Sequence, residues 1–384
     1  MLRSFIAAAW IGLAALPVAV AVQAPAQAPA AHQPPPAPPG LWQQSADRIT
    51  FTTAHLSFPL TAAATRFVTT FEASHPGEGL DTGIQFESAD RQVFATVYVY
   101  RPGLPHSGLS AFATDWVIHI QSPNLRPLGM HVVSAGGHEG IAIRADYGGF
   151  RDGLATSAAF LEGGGWIVKL RASGPEPRRA EVDAAMSALL DGLRFEGTIQ
   201  ARPAAPVIVD DCEVQISGRA RLLPDDMGHL MLGGMVSVLD PGGDAGGGSA
   251  GDRSEPLAAR IGPHWCRSQL APSGRFVLRA APGRTPGASG ASVMLVPIND
   301  AGTIAELTES EPHRFVLMYH EIGRTDVLGT YDAPLTDAQI ADILSGTDQD
   351  GGRFRALIAH HANGNNDVQL MMPTTGPSSS GSRQ

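Results

Sequence analysis

The chain has 384 residues and a formal net charge of −10, and 43% of its residues are hydrophobic while 17% are charged. Lys169 is its sole lysine and no arginine cluster interrupts the acidic balance, which excludes nucleic-acid binding through phosphate neutralisation and attraction to an anionic membrane surface. The length exceeds what one ordinary hydrophobic core holds, so we expect two domains.

The N-terminus has the layout of a secretory signal peptide. Arg3 supplies a positive charge, residues 5–22 form an unbroken apolar run, and Pro17 interrupts that run before small residues. Ala19 and Ala21 form an A-x-A site, so we predict cleavage after Ala21 and a mature chain that is periplasmic or secreted. The rival interpretation is an uncleaved transmembrane anchor, because the run is long enough to span a bilayer. Pro17 and the A-x-A site favour cleavage.

A proline-rich tether and a folded region follow. Residues 22–40 are rich in proline, alanine and glutamine, which predicts an extended, semi-stiff linker. The first region spans residues 41–197. Short strands are predicted at 48–53 and 55–58, and a hairpin at 83–88 and 92–100, because β-branched and aromatic residues flank a turn there. Between these pairs, an apolar pattern at helical spacing predicts a helix from Ala64, Phe67, Val68 and Phe71.

The rest of the first region contains both helix and strand signals. Ser110 is a candidate N-cap for a second helix with Phe112, Trp116 and Ile120 on one face. Strands are predicted at 140–147, 153–161 and 165–172, the last with the alternation of a half-buried strand. An amphipathic helix closes the region and ends near Gly192. Its apolar face consists of Val182, Ala185, Met186, Leu189, Leu190 and Leu193.

Antiparallel strands with helices at both ends form an α+β arrangement. The opening residues Ile49-Thr50-Phe51 and Leu56-Ser57-Phe58-Pro59, and the run of residues 166–172 that precedes the closing helix and Leu193-Arg194-Phe195, carry a family resemblance. On this pattern, residues 41–197 resemble the PsbP-like fold, in which a central antiparallel sheet is flanked by helices. The resemblance implies a non-enzymatic assembly or scaffold role, and it carries no functional residue to this chain.

A linker is predicted at residues 198–206 and a second, β-rich α+β domain at 207–372, which we name the second region. Its strands are predicted at 207–210, 213–220, 230–239, 275–280, 291–297 and 314–322. Thr336 and Gln339 form a capping box for its one strong helix, and Leu335 can pack on Ile340 before Gly346 ends the helix. Residues 241–252 form a flexible glycine-rich loop and residues 373–384 a disordered tail. The predicted fold class is thus α+β, with two domains that are each an antiparallel sheet with flanking amphipathic helices.

The two cysteines predict one disulfide. Cys212 and Cys266 are an even pair in a chain with an export signal, where oxidation is the simplest outcome. The loop that they close would hold about 55 residues, which is worth on the order of 4 kcal/mol in the chain-entropy model. The rival interpretation is a metal site of His264 and Cys266, which lacks a second local pair of soft ligands. We therefore predict a Cys212–Cys266 bond.

Motifs of enzymatic chemistry are missing from the sequence. The glycine-rich loop lacks the lysine of a P-loop, and Gly287-Ala288-Ser289-Gly290 fails the nucleophile-elbow pattern because Ala291 replaces its last glycine. The 13 histidines contain neither H-E-x-x-H nor H-x-H. Possible metal ligands in the second region are His264, His313, His320, Glu321, His360 and His361. We expect His320 on the solvent face of its strand, and His360 and His361 on opposite faces.

Acidic residues offer a weaker metal signal. Asp210, Asp211, Glu213, Asp225 and Asp226 could form a patch of carboxylate ligands for Ca²⁺, but their spacing is not the regular one of a calcium-binding loop. We expect these side chains to be solvated charges. The sequence therefore assigns no catalytic, cofactor-binding or metal-binding residue, and no cofactor.

The simplest interpretation is a non-enzymatic binding or assembly module of the periplasm or cell envelope, with an unknown protein or small-molecule partner and no membrane contact after signal cleavage. Two alternatives stay open: a metal-dependent or carboxylate-based hydrolase in the second domain, and a small-ligand or lipid carrier. A pocket that gathers three of the ligand candidates favours the enzyme. An apolar cavity favours the carrier, and a flat exposed sheet face favours assembly.

Overall fold

The structure is a computed structural model that describes residues 35–73, 77–122, 124–151, 153–196, 201–213, 216–224, 261, 264–270, 275–280, 291–348 and 355–370. Several sequence predictions lie outside the described residues. They are the signal peptide at 1–21, the tether up to residue 34, the strand at 230–239, the glycine-rich loop at 241–252, the tail at 373–384, and Asp225 and Asp226.

The described strands of the first region are β1 Trp42–Gln44, β2 Arg48–Phe51, β3 Leu56–Pro59, β4 Thr61–Ala62, β5 Thr65–Glu72, β6 Asp81–Ser88, β7 Phe94–Tyr100, β8 Arg126–Ala135, β9 His138–Phe150, β10 Leu154–Gly163, β11 Trp166–Pro175 and β12 Arg194–Phe195. Those of the second region are β13 Ile208–Asp211, β14 His264–Leu270, β15 Arg275–Ala280, β16 Ala291–Pro297, β17 Ile304–Glu311, β18 Arg314–Glu321, β19 Arg324–Tyr331, β20 Ala356–His360 and β21 Asn366–Leu370. The α-helices are α1 Ser107–Gln121, α2 Arg179–Gly192 and α3 Asp337–Leu344.

These strands form three sheets. A four-stranded sheet has the order β1-β2-β3-β12, an eight-stranded sheet has the order β4-β5-β6-β7-β11-β10-β9-β8, and a nine-stranded sheet runs from β13 to β21 in chain order. Strands β13 and β14 are parallel, whereas the long ladders such as β10–β11 and β17–β18 are antiparallel. The described chain is mostly antiparallel sheet with few helices, which fits an α+β or a mainly-β class.

Both faces of the eight-stranded sheet are covered over its central strands. Helix α2 and the four-stranded sheet pack on one face, where Phe51 and Leu189 share a core. Helix α1 packs on the other face, where Ile118 meets Tyr147. Strand β11 is therefore buried on both sides, and Ile167 is fully buried. The half-buried alternation predicted for residues 165–172 is wrong, because that pattern assumed one open face.

The helix predicted from Ala64 to Phe71 is also wrong, since this stretch forms strand β5 and pairs with β6. Three threonines of the stretch are β-branched and favour extended backbone. The helical spacing does not mark a buried face, because Val68 is 51% exposed. Phe71 instead packs edge-on against the Tyr98 ring, with 5.4 Å between centroids.

Other elements predicted for the first region are confirmed with adjusted bounds, but the apolar face predicted for the second helix is wrong, because Ile120 is 60% exposed while Ile118 is buried. The hairpin is β6–β7, and the strands at 140–147 and 153–161 lie within β9 and β10. Helix α1 begins before the predicted cap Ser110. Its N-cap is His106, whose Nδ1 accepts a hydrogen bond from the Leu109 backbone N–H at 3.2 Å. Burial lowers the pKa of His106 to about 4, so its neutral ring can accept this bond at neutral pH.

In the second region, strands β15, β16 and β18 and helix α3 match the prediction, including the Thr336–Gln339 capping box. The strand predicted at 213–220 is wrong for its described residues. Ala220 is held by the Gln339 side chain, which accepts from its N–H at 2.9 Å and donates to its C=O at 2.8 Å. The backbone N–H and C=O of Ala220 are therefore satisfied by a side chain and not by a neighbouring strand. Leu335 and Ile340 pack in one core, as predicted.

The two regions contact each other. The N–H of Gly103 donates to the Glu321 C=O at 2.8 Å, and the Gly323 N–H donates to the Arg101 C=O at 2.9 Å, so the turn between β18 and β19 pairs with the segment after β7. The predicted linker also binds the first region, since the Arg202 N–H donates to the Glu162 C=O at 2.9 Å. The division into two domains stays a prediction.

Candidate functional site

Strand β8 lies at one edge of the eight-stranded sheet, with β9 as its neighbour. It is 10 residues long and exposed along most of its length. Leu128, Met130 and Val132 are 52%, 46% and 45% exposed. An edge strand presents a row of backbone N–H and C=O groups to solvent, which makes it a template for pairing with another chain. We name β8 and these three side chains the edge surface.

The register of β8 with β9 explains why the edge surface is apolar. Met130 lies opposite Ala145 and Val132 lies opposite Ile143. Both β9 residues are buried beneath α1, where Ala145 packs with Ile118. Helix α1 thus covers β9 and leaves the next strand open. The row of apolar side chains beneath α1 therefore continues onto β8, where Met130 and Val132 are exposed.

Two acidic residues beside the edge surface, Glu176 and Asp146, are paired. Strand β8 contains no aspartate or glutamate. Arg126, at its start, lies 3.3 Å from Glu176, and Asp146 of β9 lies 3.0 Å from Arg144. The imidazole of His131 lies 3.8 Å from the same Asp146 carboxylate. The edge surface therefore combines an apolar centre with a border at which Glu176 and Asp146 each lie beside a basic side chain.

Sequence reasoning missed β8. Pro127 and Gly129 interrupt its apolar pattern, and both residue types weaken a strand signal. The signal that could have found it is the proline itself, since proline within a β run is confined to edge strands, first positions and bulges. A register shift beside Gly129 fits this expectation.

The ligand candidates predicted from the sequence do not converge. His264 is exposed at the start of β14, and His313 is exposed in the turn between β17 and β18. Glu321 ends β18, on the strand face opposite to that of its neighbour His320. Across the described residues, no three His, Cys, Asp or Glu side chains lie close enough together to hold a metal ion.

The prediction that His320 faces solvent is wrong, because its side chain is fully buried. Its Nε2 lies 2.9 Å from Glu306 Oε2, and its Nδ1 lies 2.9 Å from Thr325 Oγ1. His360 is buried as well, with Nε2 at 2.8 Å from the same Thr325 oxygen. His361 is exposed and lies 2.8 Å from Asp367. The two adjacent histidines thus take opposite faces, as predicted.

Ser292, Glu306 and His320 are the residue types of a hydrolytic triad, but their hydrogen bonds connect them in a different order. Ser292 donates its hydroxyl hydrogen to Glu306 Oε1, and the histidine lies on the other carboxylate oxygen. A nucleophilic serine needs the histidine as its direct proton acceptor, with the carboxylate behind the ring. Ser292 and Glu306 are also almost completely buried. This arrangement does not support acyl transfer.

The predicted disulfide is present, with a Cα–Cα distance of 4.8 Å between Cys212 and Cys266. It joins the parallel strands β13 and β14, which already pair through the Cys212 N–H and the Arg267 C=O at 3.0 Å. Asp211 is bound by Arg267 at 2.9 Å. Asp210 and Glu213 are exposed, so the described part of the acidic patch consists of solvated charges.

Lys169 forms a buried ion pair that sequence reasoning also missed. Its Nζ donates to Asp300 Oδ2 at 2.6 Å and to the Asp300 C=O at 3.1 Å, which ties β11 to the loop before β17. Burial lowers the pKa of Lys169, and the Asp300 charge opposes this effect. Burial raises the pKa of Asp300, but the charge and hydrogen bond of Lys169 outweigh it and hold that pKa below its usual range.

Two clefts in the described structure are lined by charged or titratable side chains. A cleft of about 570 Å³ is lined by Glu78, Leu80, Gly323, His360, His361 and Asn363, together with Ala359 and Ala362. A cleft of about 440 Å³ is lined by Arg219, Ala220, Arg221, Leu222, Tyr331, Gln339 and Asp348. Neither is the apolar cavity expected for a lipid carrier. Within the described ranges, no helix combines the length and apolar character needed to cross a membrane.

Comparison with solved structures finds likenesses to known proteins. No protein-family model matches the chain, and no curated protein matches it. The solution structure of cyanobacterial PsbP (CyanoP) from Synechocystis sp. PCC 6803 is similar to 40% of this chain and to 94% of its own chain, with 12% sequence identity and a TM-score of 0.30. The chain thus bears the weak resemblance to the PsbP-like fold that its sequence indicates.

Proposed function

We propose that this protein is an exported, non-catalytic binding module that recognises a partner polypeptide by pairing one of its strands with β8. The edge surface carries this proposal, because Leu128, Met130 and Val132 lie exposed along an edge strand. Recognition by strand addition derives affinity from main-chain hydrogen bonds and specificity from alternate side chains. The partner segment is extended, carries apolar residues at every second position, and leaves the fold of the module unchanged.

Two further observations support this proposal. The histidines considered as possible metal ligands are either exposed and separate or bonded within the core, as His320 is to Glu306. The disulfide between Cys212 and Cys266 fits a periplasmic or secreted location, where such bonds persist.

The test compares capture of partner proteins by the purified chain and by a Met130→Lys/Val132→Lys variant. Lysine on an exposed edge strand leaves the sheet intact and opposes further pairing. Burial of an apolar side chain is worth about 1.5–3 kcal/mol, so the loss of two contacts predicts at least a tenfold fall in recovery. Recovery is measured by quantitative mass spectrometry from exported proteins of the organism that produces the chain.

The matched control is Val68→Lys. Val68 is 51% exposed and lies on β5, six strands away from β8, which is roughly 29 Å at the usual strand spacing. The control should retain every partner that the double variant loses. Amide hydrogen exchange in β8 should slow when the captured partner is added back. Equal recovery by all three proteins, or unchanged exchange in β8, would refute the proposal.

A further inference from the structure

Six polar side chains form a hydrogen-bonded ladder across the second region, one from each of six consecutive strands, β16 to β21. They are Ser292, Glu306, His320, Thr325, His360 and Asn366. The strands of the nine-stranded sheet lie side by side in chain order. One residue per strand on the same face therefore produces a continuous chain of polar atoms.

The central members of the ladder are buried and closely bonded. Glu306, His320 and Thr325 have no exposed surface, and His360 is 7% exposed. The successive distances are 2.9 Å from Glu306 Oε2 to His320 Nε2, 2.9 Å from His320 Nδ1 to Thr325 Oγ1, and 2.8 Å from Thr325 Oγ1 to His360 Nε2. The last link joins His360 Nδ1 to Asn366 Oδ1 at 2.8 Å. Such distances are those of true hydrogen bonds.

With Asn366 Oδ1 as the last acceptor, two neutral imidazoles leave the ladder one hydrogen short. Each of the four links after Ser292 requires one hydrogen between its two heavy atoms. An ionised Glu306, two neutral imidazoles and one threonine hydroxyl supply three hydrogens in total. The Asn366 oxygen accepts only, so His360 Nδ1 must carry a hydrogen. The four links are complete only when the ladder holds one more proton.

Thr325 gives that proton two positions. When its hydroxyl donates to His320 Nδ1, His360 carries hydrogens on both ring nitrogens. When the hydroxyl turns and donates to His360 Nε2, His320 carries both hydrogens and faces the Glu306 carboxylate. The same number of protons serves both arrangements. The carboxylate accepts a hydrogen from Ser292 in either case, and hydrogen bonds to a carboxylate favour its ionised form.

We infer that the ladder binds one excess proton, which Thr325 shares between His320 and His360 while Glu306 stays ionised. The site is closed on one side, because Gly103 of the first region lies against it. A Cβ at that position would stand 2.4 Å from Thr325 Oγ1 and 3.2 Å from His320 Nδ1. It communicates with solvent at its other end, since His360 lines the cleft of about 570 Å³.

Other charged groups lie on the elements packed around the ladder. Arg324 and Asp326 on β19 pair with each other at 2.7 Å. Glu78 and His361 line the cleft with His360. Arg101, on the segment that covers the ladder, donates to the Gly164 C=O at 3.1 Å. Substitutions within the ladder leave these groups in place, so variants report on the ladder itself.

The test is long-range proton–nitrogen NMR of the mature protein labelled with ¹⁵N in its histidine rings, recorded from about pH 5.5 to pH 9. His320→Gln and His360→Gln variants assign the two rings. Histidine ordinarily loses its proton near pH 6.5. At about pH 8, the rings of His320 and His360 should still hold three protons between them, with His360 Nδ1 protonated, and both rings should change together as the pH rises further.

Two contrary outcomes are distinct. In the first, the two rings hold two protons in total and His360 Nδ1 is unprotonated. This result would show that Asn366 donates through its amide nitrogen and that the ladder holds no excess proton. Two ring protons, both on Nδ1, would place the excess proton on Glu306 and overturn the sharing by Thr325. Each outcome is read from wild-type protein, so it does not depend on the folding of a variant.

Two variants sharpen the test. Thr325→Val keeps the side-chain shape and removes the hydroxyl, so the His320 and His360 titrations should separate. Asn366→Asp keeps the acceptor and adds a negative charge, which should raise the pH of proton loss by about 1–3 units. The exposed His313 serves as the internal reference, and the pH dependence of its ring signals should be the same in all variants. Coupled titration that survives Thr325→Val would refute the shared proton.

Discussion

Removing one partner of the Lys169–Asp300 ion pair should cost far more stability than removing the other. Lys169 is 8% exposed, while the Asp300 side chain is 35% exposed. Asp300→Ala leaves the Lys169 ammonium group buried. Of residue 300, only the backbone C=O, at 3.1 Å, then accepts a hydrogen bond from it. Lys169→Met removes the buried charge and fills the same space, and it leaves Asp300 partly in water.

The magnitude follows from these exposures. Loss of one partner from a fully buried pair costs about 3–5 kcal/mol, because the other charge stays buried without compensation. Water reaches Asp300, which screens part of the interaction, so we expect Asp300→Ala to lower the free energy of unfolding by about 2–3 kcal/mol. Replacing a buried charge by an apolar side chain of similar volume is often neutral, so Lys169→Met should cost less than about 1 kcal/mol. The double variant should resemble Lys169→Met.

The pH dependence has a definite sign. Burial lowers the pKa of Lys169 in the folded protein, and the loss of Asp300 removes the main opposing charge. Between this lowered value and the unfolded value near 10.4, the unfolded chain binds more protons than the folded one, so stability rises with pH. The destabilisation caused by Asp300→Ala should therefore shrink as the pH is raised from about 7 towards 10.

Urea unfolding followed by tryptophan fluorescence measures these changes in stability. The comparison requires that the unfolding free energy falls with urea concentration at the same slope in all variants. The matched control is Asp211→Ala, which breaks the exposed Asp211–Arg267 pair of 2.9 Å. Exposed pairs contribute about 0–1 kcal/mol, so the control should shift the midpoint little. If Asp300→Ala behaves like the control, or Lys169→Met costs as much as Asp300→Ala, the ion pair does not stabilise the contact as argued.

Three further outcomes are expected. Reduction of the Cys212–Cys266 bond should destabilise the second region by about 4 kcal/mol at most and leave amide protection in β10 and β11 unchanged; thiol titration of unfolded, non-reduced protein should find no free thiol. Gly103→Ala should cost about 1–3 kcal/mol in urea unfolding, since its Cβ would stand 2.4 Å from Thr325 Oγ1, and an unchanged midpoint would contradict this close approach. Exported protein should begin at Val22 on N-terminal sequencing, whereas retention of Met1 would favour the anchor.

Local signals in the sequence were sufficient where the structure is itself local. Thr336 and Gln339 specify the start of α3 within four residues, and the structure contains that capping box. The hairpin β6–β7 likewise depends on a short turn between two apolar runs. The disulfide between Cys212 and Cys266 was predicted from the residue count and the predicted export, which need no knowledge of the fold.

The failures share a cause in long-range packing. Val68 and Phe71 fit a helical stripe, yet pairing with β6 makes the stretch a strand. Strand β8 was missed because its stability comes from its ladder with β9, while Met130 and Val132 remain exposed. An edge strand has half the pairing partners of a central one, so its own sequence carries a weaker signal.

The misplaced His320 shows most clearly what alternation can and cannot determine. Period two in β18 separates His320 from Glu321 correctly, but the prediction assumed one open face, whereas residues 315–318 are buried on both faces of the strand. On the His320 face, Gly103 lies more than 200 positions earlier, and its lack of a side chain allows the first region to approach the ladder closely. Once this face is closed, a lone imidazole would be costly, and the partners on β17 and β19 become necessary. The inferred excess proton follows from the same closure, because the buried donors and acceptors of the ladder must be paired.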